Sequence, residues 1–449
     1  MQPASISFDR GSILIRGEVR VPYAAWDERV RAFRAQALYY RDIVEYLSKS
    51  GLQFEDGVQD LIACPFLACA IKLRRYQEQA LKAWDEAGRR GIIVLPTGAG
   101  KTVIAIKAIE LVNAPSIIVV PTLDLVDQWR KRLEEEFKVE VGVFGGGDNV
   151  LNALTVSTYD SAYLRAAEIG NRFSLIIFDE VHHLASEGYR QIAEMFTAPF
   201  RMGLTATYER EDMLHRELPR ITGGVVYRLK ARDLAGKYLS DYTLERMSVE
   251  LAEEEKAEYK KNYKAFTDYL ASRGIRLRNS ADFQKFIMRS AIDKEARQAL
   301  LARNRALEIA FNSETKIKAL EELLRQNPNE RILIFTQHNE LVYRISKRFL
   351  LPFITHKTDK DERSEIMKRF REGKLRAIVT SKVLDEGIDV PEASLGIIVS
   401  GTGSSREFVQ RLGRLLRKRE GKRAKLIELV SRETSEMRTS WRRKRSREW

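Results

Sequence analysis

Lys101 and Thr102 close the run LPTGAGKT at residues 95–102, between the apolar segment GIIV and the helix-like VIAIKAIEL. Glycines at 98 and 100 let backbone N–H groups approach phosphates at a helix N-terminus, where the helix dipole favours negative charge. In that setting Lys101 reaches the β- and γ-phosphates, Thr102 takes a magnesium ion, and Thr97, Gly98 and Gly100 complete the cradle. Leucine stands at 95, where the general phosphate-loop pattern has its first glycine. Gly-Lys-Thr alone also occurs in ordinary turns; the strand–loop–helix context makes it specific. A second constellation, Asp179-Glu180, ends the apolar run FSLIIF at 173–178. Neighbouring carboxylates repel and desolvate poorly, so they are costly at a strand end unless a cation or a reacting group balances them. Asp179 is expected to hold magnesium through its water shell and Glu180 to orient or deprotonate an attacking water. The two constellations together predict hydrolysis of a nucleoside triphosphate, with ATP and Mg2+ as the bound groups.

Such groups need rigid elements behind them. From Leu73 the chain alternates short apolar runs with helical segments: 91–95, 116–121, 153–158, 174–179 and 200–206 read as strands. Runs without polar interruption imply a parallel sheet buried on both faces. The alternation stops over 248–310, where an acid-led helix (EEEKAEYKKNYKAFTDYLASRG) and a second helical stretch, 281–311, are expected. It resumes with strands at 331–336, 353–357, 376–381, 395–400 and 425–429. Before all this, 5–20 alternate like a hairpin and 24–48 read as an amphipathic helix through Trp26, Val30, Phe33, Leu38 and Val44. The predicted organisation is α/β: a small α+β module at 1–70, a parallel-sheet domain at 71–247, a helical insert at 248–310 and a second parallel-sheet domain with a basic tail at 311–449.

The 449 residues carry 77 Lys+Arg against 63 Asp+Glu, a net charge of +14 that favours polyanionic partners through counterion release. Residues 270–305 hold nine basic side chains against three acids, among them Arg276, Arg278 and Lys285, and 438–447 hold six with no acid. Either run also fits a solvated face or tail. No stretch approaches the ~18 apolar residues of a membrane span, and charges interrupt the amino end where a signal peptide needs an apolar core. Cys64 and Cys69, the two cysteines, are too few for a disulfide framework or a closed metal cage and read as buried thiols. A cytoplasmic, nucleoid-associated protein without a membrane partner is expected.

LPTGAGKT, DEVH at 179–182, LTAT at 204–207 and QRLGRLLR at 410–417 resemble, in order and spacing, the motifs of superfamily 2 helicases, over roughly residues 73–430. Three further features are similar to the XPB (Rad25-type) DNA repair helicases in their compact archaeal form: LRRYQEQAL at 73–81, Arg210-Glu211-Asp212 after LTAT, and a thumb-like insert between two RecA-like halves. The resemblance implies an ATP-dependent DNA translocase opening duplex, forked or damaged DNA in nucleotide excision repair, 3′ to 5′, with a nuclease as a further partner. It implies that Gln77 reads the adenine edge, and that Gly387, Asp389 and Gln410 face the nucleotide. Arg414 and Arg417 are implied as arginine fingers. Thr122, Thr158, Thr380 and Ser381 are implied to hold the strand, with His182, Thr205 and Thr207 coupling the two sites. The 1–70 module is implied to grip distorted duplex, and Arg210-Glu211-Asp212 is read either as a wedge at the duplex end or as a self-paired turn. The rivals are another superfamily 2 translocase, an RNA-dependent ATPase, and a DNA-binding scaffold that does not turn over. Tyr259, Tyr263, Phe266 and Tyr269 recur at near-helical spacing and read as a packed stripe.

Overall fold

A computed structural model describes residues 4–17, 19–210, 212–238, 241–278, 280–381, 393–400, 423–437 and 440. The chain falls into two compact units, the first made of Met1–Leu95 and Gly100–Leu229 and the second of Pro96–Ala99 and Lys230–Trp449. Among the described residues the strands form three sheets.

The first sheet contains β1 (Ala4–Asp9), β2 (Ser12–Arg16), β3 (Ala25–Asp27), β4 (Ala32–Gln36) and β5 (Phe54–Gly57) in the order β3-β4-β2-β1-β5. Helix Tyr40–Lys49 lays Ile43 and Leu47 against Ile6, Ile13 and Ile15. The helix expected over 24–48 is therefore confined to its last third, and 25–36 form a hairpin. The apolar spacing was ambiguous: Trp26 and Phe33, seven residues apart, suit a helix face but are also direct antiparallel partners. Their rings meet edge to face with centroids 5.3 Å apart. The module docks on the second sheet's core, where Leu38 is buried, and Arg41 donates to Gly88 O at 2.7 Å. The segment that follows runs over this surface, its Asp60 and Ile62 N–H groups donating to the Asn171 and Arg172 carbonyls. Cys64 and Cys69 lie on it as free thiols and are half-buried rather than buried, because a surface connection has protein on one side only.

The second sheet consists of β6 (Arg90–Val94), β7 (Ser116–Val120), β8 (Val141–Gly145), β9 (Asp148–Asn149), β10 (Leu154–Thr158), β11 (Leu175–Asp179), β12 (Phe200–Thr205) and β13 (Val225–Arg228). Its order is β13-β6-β12-β11-β7-β10-β8-β9, parallel except for β8–β9. Every residue of β7, β10 and β11 is buried, as uninterrupted apolar runs between two helical layers require. The glycine-rich VGVFG of β8 and the short VVYR of β13 lacked such a run and were not expected as strands.

The third sheet lies in the second unit: β14 (Asp241–Val249), β15 (Ile332–Phe335), β16 (Phe353–Ile354), β17 (Ala377–Thr380), β18 (Leu395–Ile398) and β19 (Arg423–Ser431), in the order β14-β19-β18-β15-β17-β16. β14 pairs with β19 in parallel along its full length. This moves the expected boundary at 247/248: a strand assigned to the first α/β domain belongs to the second, a long-range pairing that no local pattern encodes. The insert comprises helices Glu253–Ser272, Ser280–Ile292 and Lys294–Asn312. The single stretch expected over 281–311 breaks at Asp293, whose carboxylate caps the third helix by accepting from Glu295 N and Ala296 N. Tyr259, Phe266 and Tyr269 are buried in the insert's cores with Phe286, Ala299 and Ala306, confirming the packed stripe. Among the described residues no helix is long and apolar enough to cross a membrane.

Candidate nucleotide and strand site

Open parallel sheets present ligands at the carboxyl ends of their strands, and the second sheet gathers its reactive residues there. β12 lies between β6 and β11. Thr205 is in register with Val94 on one side, and Leu204 with Asp179 on the other. Leu95 N donates to Thr205 O at 3.0 Å, extending the ladder into the phosphate loop.

The loop leaves β6 and enters helix Lys101–Val112 through Gly98 and Gly100, at φ +84° and +76°. Both lie in the left-handed region that glycine enters without steric cost. A Cβ on Gly100 would also sit 2.5 Å from Gln77 Nε2. Gln77 is buried, its Oε1 accepting from Arg74 N at 2.9 Å and its Nε2 facing Gly100 O at 3.5 Å. The glutamine expected to read adenine thus also caps its own helix and braces the phosphate loop. Lys101 Nζ donates to Leu95 O at 3.2 Å, folded back across the loop, and Thr102 follows it in the first helical turn, where Val103 N donates to Gly100 O at 3.1 Å and the leading N–H groups precede any intrahelical acceptor. Thr97 Oγ1 is buried without a hydrogen-bond partner among the described residues. A positive-φ glycine loop at a helix N-terminus beside a partnerless buried hydroxyl fits a phosphate chain with its cation.

Asp179 is nearly buried and firmly oriented. Its Oδ2 accepts from Trp129 Nε1 at 2.9 Å, its Oδ1 from Glu180 N at 3.0 Å, and its carbonyl from Tyr159 Oη at 3.0 Å. Each carboxylate oxygen keeps a lone pair for a hydrated cation. Trp129 was missed by the sequence reading. Its signal was present, since it stands two helical turns beyond Thr122, a residue already singled out, but nothing local says which strand end its N–H reaches. Glu180 has φ +48°, a left-handed conformation that costs a residue with a Cβ about 1–2 kcal/mol and is concentrated at functional sites. His182 is fully buried, with Nδ1 3.2 Å from Thr205 Oγ1 and 3.5 Å from Glu180 Oε2. Thr205 Oγ1 donates to Thr207 O at 2.8 Å and accepts from Thr207 N at 3.1 Å. With that proton committed, His182 Nδ1 is the donor to Thr205. Thr207 Oγ1 is a second buried hydroxyl without a partner among the described residues. The three residues expected to couple the sites therefore form one contiguous network with Glu180.

Arg210 extends this network. It forms a bidentate pair with Asp212 at 3.0 and 2.6 Å and donates from Nη1 to His182 O at 2.7 Å. The hydrogen bond from Arg210 holds the Asp212 carboxyl below its ordinary range. Arg210 and Asp212 are thus paired with each other; Glu211 lies outside the described residues. Thr122 and Thr158 end up as N-caps, accepting from Leu125 N at 3.3 Å and Ser161 N at 3.2 Å, at the ends of β7 and β10 on the same sheet edge.

In the second unit Thr380 ends β17 fully buried, its hydroxyl donating to Ser381 O at 3.0 Å, so that contact with a strand requires this hydrogen bond to open. Ser381 is also buried, with its N–H on Ile354 O. Arg276 and Arg278 are exposed on the turn between the first two insert helices. Gly387, Asp389, Gln410, Arg414 and Arg417 lie outside the described residues, as does most of the basic tail.

The family described as "Type III restriction enzyme, res subunit" matches residues 70–210, "Helicase conserved C-terminal domain" residues 315–419, and "Xeroderma pigmentosum group B helicase damage recognition domain" residues 6–58. The chain is 47% identical over 431 residues to a DNA 3′-5′ translocase XPB2 of Sulfurisphaera tokodaii, covering 96% of this chain and 98% of that one. It is 30% identical to a putative DNA 3′-5′ helicase Rad25 of Haloarcula marismortui, covering 82% of this chain and 53% of the relative. With the Saccharomyces cerevisiae transcription and repair factor IIH subunit XPB/SSL2 the identity is 28%, over 82% of this chain and 42% of the relative. The helicase domain of Pyrococcus furiosus Hef superposes with a TM-score of 0.53 at 20% identity, covering 82% of this chain and 98% of that one. That likeness establishes two RecA-like halves.

Proposed function

Because this chain belongs to the XPB-type family of superfamily 2 helicases and translocases, we propose that it is an ATP-dependent DNA motor, moving 3′ to 5′ and opening duplex in DNA repair. One observation supports it above all. A single sheet edge brings the phosphate loop, the Asp179-Glu180 pair and the Thr205–Thr207 turn onto three neighbouring strands, joined by Leu95 N to Thr205 O and His182 to Thr205.

The chemistry follows from those residues. The N–H groups of the loop and Lys101 receive the β- and γ-phosphates of ATP, Lys101 giving up Leu95 O to do so. Thr102 and Asp179 would hold the magnesium ion, which supplies charge neutralisation when bound. Glu180 takes the proton of the attacking water, and its carboxylate is aimed by the left-handed backbone at 180 and by His182. Trp129 acts as a positioning residue: it fixes Asp179 from a helix whose first turn begins at Thr122, the strand-contact position. Arg414 and Arg417 supply the charge that stabilises the departing phosphoryl group.

ATPase rate without nucleic acid, with DNA and with RNA tests the reading. Stimulation by DNA is expected. Stimulation by RNA alone would favour the RNA-dependent alternative, and a protein with no turnover under any condition would be a scaffold.

A further inference from the structure

The N-terminal module carries a cavity of about 600 Å3 between the β1–β2 turn and the β3–β4 hairpin, remote in sequence from every motor motif. Tyr23 and Trp26 line it and are 59% and 49% exposed, unusually open for rings of this size. Each is backed by another ring. Tyr23 lies flat on Tyr39 with centroids 4.2 Å apart and planes 4° apart, and Trp26 meets Phe33 edge-on. Tyr23 also has φ +67°, a rare conformation for a bulky residue and one that persists where the surroundings impose it. The rings are thus held in place with area left open.

The polar lining is already organised. Asp27 accepts from Arg29 Nε and Nη2 and from Arg34 Nε, all at 2.9 Å, and the Arg29 hydrogen bond holds its carboxyl well below the usual range. Arg34 also pairs with Asp9 at 2.8 Å. Exposed Arg10, Arg29 and Arg31 stand on the two turns that bound the opening, against one exposed acid, Glu28. Flat rings, polar edges and rim arginines suit a heteroaromatic ring attached to a phosphate backbone. Trp, Tyr and Arg also serve as anchors for proteins. The proposed DNA motor function, on which this inference rests, and the match of residues 6–58 to a damage recognition domain favour nucleic acid.

We propose that this cavity receives a nucleobase swung out of duplex DNA, stacked on Trp26 and Tyr23 while the rim arginines hold the flanking phosphates. A duplex with one base already unpaired spares the unstacking cost and is therefore the preferred substrate.

The test uses the full chain and three DNAs of one sequence: a paired duplex, a duplex with one extra unpaired purine, and the single strand. The intact protein is expected to bind the bulged duplex about tenfold more tightly than the paired one, the scale of one base–aromatic stack. Trp26→Ala should abolish that preference and Trp26→Phe retain most of it. Tyr23→Asn, which removes the ring but suits the left-handed backbone, should also reduce it. Paired-duplex-stimulated ATPase, measured on the same samples, should stay at the intact level in all three variants and reports folding. Equal affinity of the intact protein for bulged and paired duplex overturns the proposal. So does an undiminished preference in both Trp26→Ala and Tyr23→Asn, or Trp26-dependent binding that favours the single strand. DNA-stimulated ATPase of the intact protein decides the motor reading separately.

Discussion

The two RecA-like sheets share a parallel plan but use their buried polar groups differently. At the edge of the first, Asp179, His182, Thr205 and Thr207 are buried, yet Asp179 keeps lone pairs and Thr207 Oγ1 has no partner among the described residues. In the second unit Lys316 and Glu436 are just as deeply buried and fully engaged with each other. Lys316 Nζ donates to both Glu436 oxygens at 2.8 and 2.7 Å and to Val399 O at 3.0 Å, and Glu436 Oε2 also accepts from Ser431 N at 3.0 Å. Ser435 N donates to Tyr259 Oη, tying the same C-terminal segment to the insert. Burial alone does not mark a reactive site. Unspent hydrogen-bonding capacity does so only where it converges with a phosphate loop and a carboxylate, since Gln337 Oε1 in the second unit is also buried without a partner among the described residues.

That contrast can be broken first at Glu180. Glu180→Gln removes the proposed base without changing the shape of the turn and is expected to lower ATP turnover by roughly 10²–10⁴-fold while DNA binding persists. Turnover within a few-fold of the intact enzyme would move the reactive group elsewhere. On the structural side, Lys316→Met leaves Glu436 buried and uncompensated, a change worth about 3–5 kcal/mol. Denaturant unfolding should show that loss, and the double change Lys316→Met with Glu436→Leu should recover most of it. If the single variant is as stable as the intact chain, this pair is not the closed counterpart of the nucleotide edge.

Trp129→Phe sharpens the comparison by deleting one N–H from the reactive side. A hydrogen bond to a charged group contributes about 1.5–3 kcal/mol, part of which a water replaces. The magnesium concentration for half-maximal ATPase is therefore expected to rise about threefold to tenfold, with the unfolding midpoint little changed. A lower midpoint with unchanged magnesium dependence would make Trp129 ordinary core. The smallest effect is expected at Asp293 in the insert. Its pKa is about 2, lowered by backbone hydrogen bonds, with Ala296 N the largest contributor. A depressed carboxylate contributes stability that is fully present above its unfolded pKa and lost as pH falls from there towards 2. The difference between the intact chain and Asp293→Asn in insert-amide exchange should therefore shrink from pH 5 to pH 2.5. A pH-independent difference would show that the cap does not act through its charge.

Local pattern carried the sequence reading a long way where one residue's neighbours decide its role. LPTGAGKT requires positive-φ glycines and a helix to follow. The apolar run ending at Asp179 requires a buried strand, and the strands at 116–121, 174–179 and 200–206 formed within a residue or so of their expected limits. The hairpin at 25–36 was misread because seven residues span both two helical turns and a direct cross-strand pair. Only the pairing partner distinguishes these.

The sequence by itself determined the local groups from which the candidate site is built: a glycine-rich loop between a strand and a helix, and a carboxylate pair at a strand end, since each depends on residues within a few positions of one another. The tertiary structure alone decided which groups meet. It put β12 between β6 and β11, brought Trp129 to Asp179 across 50 residues, sent β14 into the second sheet beside β19, and joined Lys316 to Glu436 across 120. These are long-range choices, set by which buried faces and polar atoms find complements when the sheets close, and no local spacing records them.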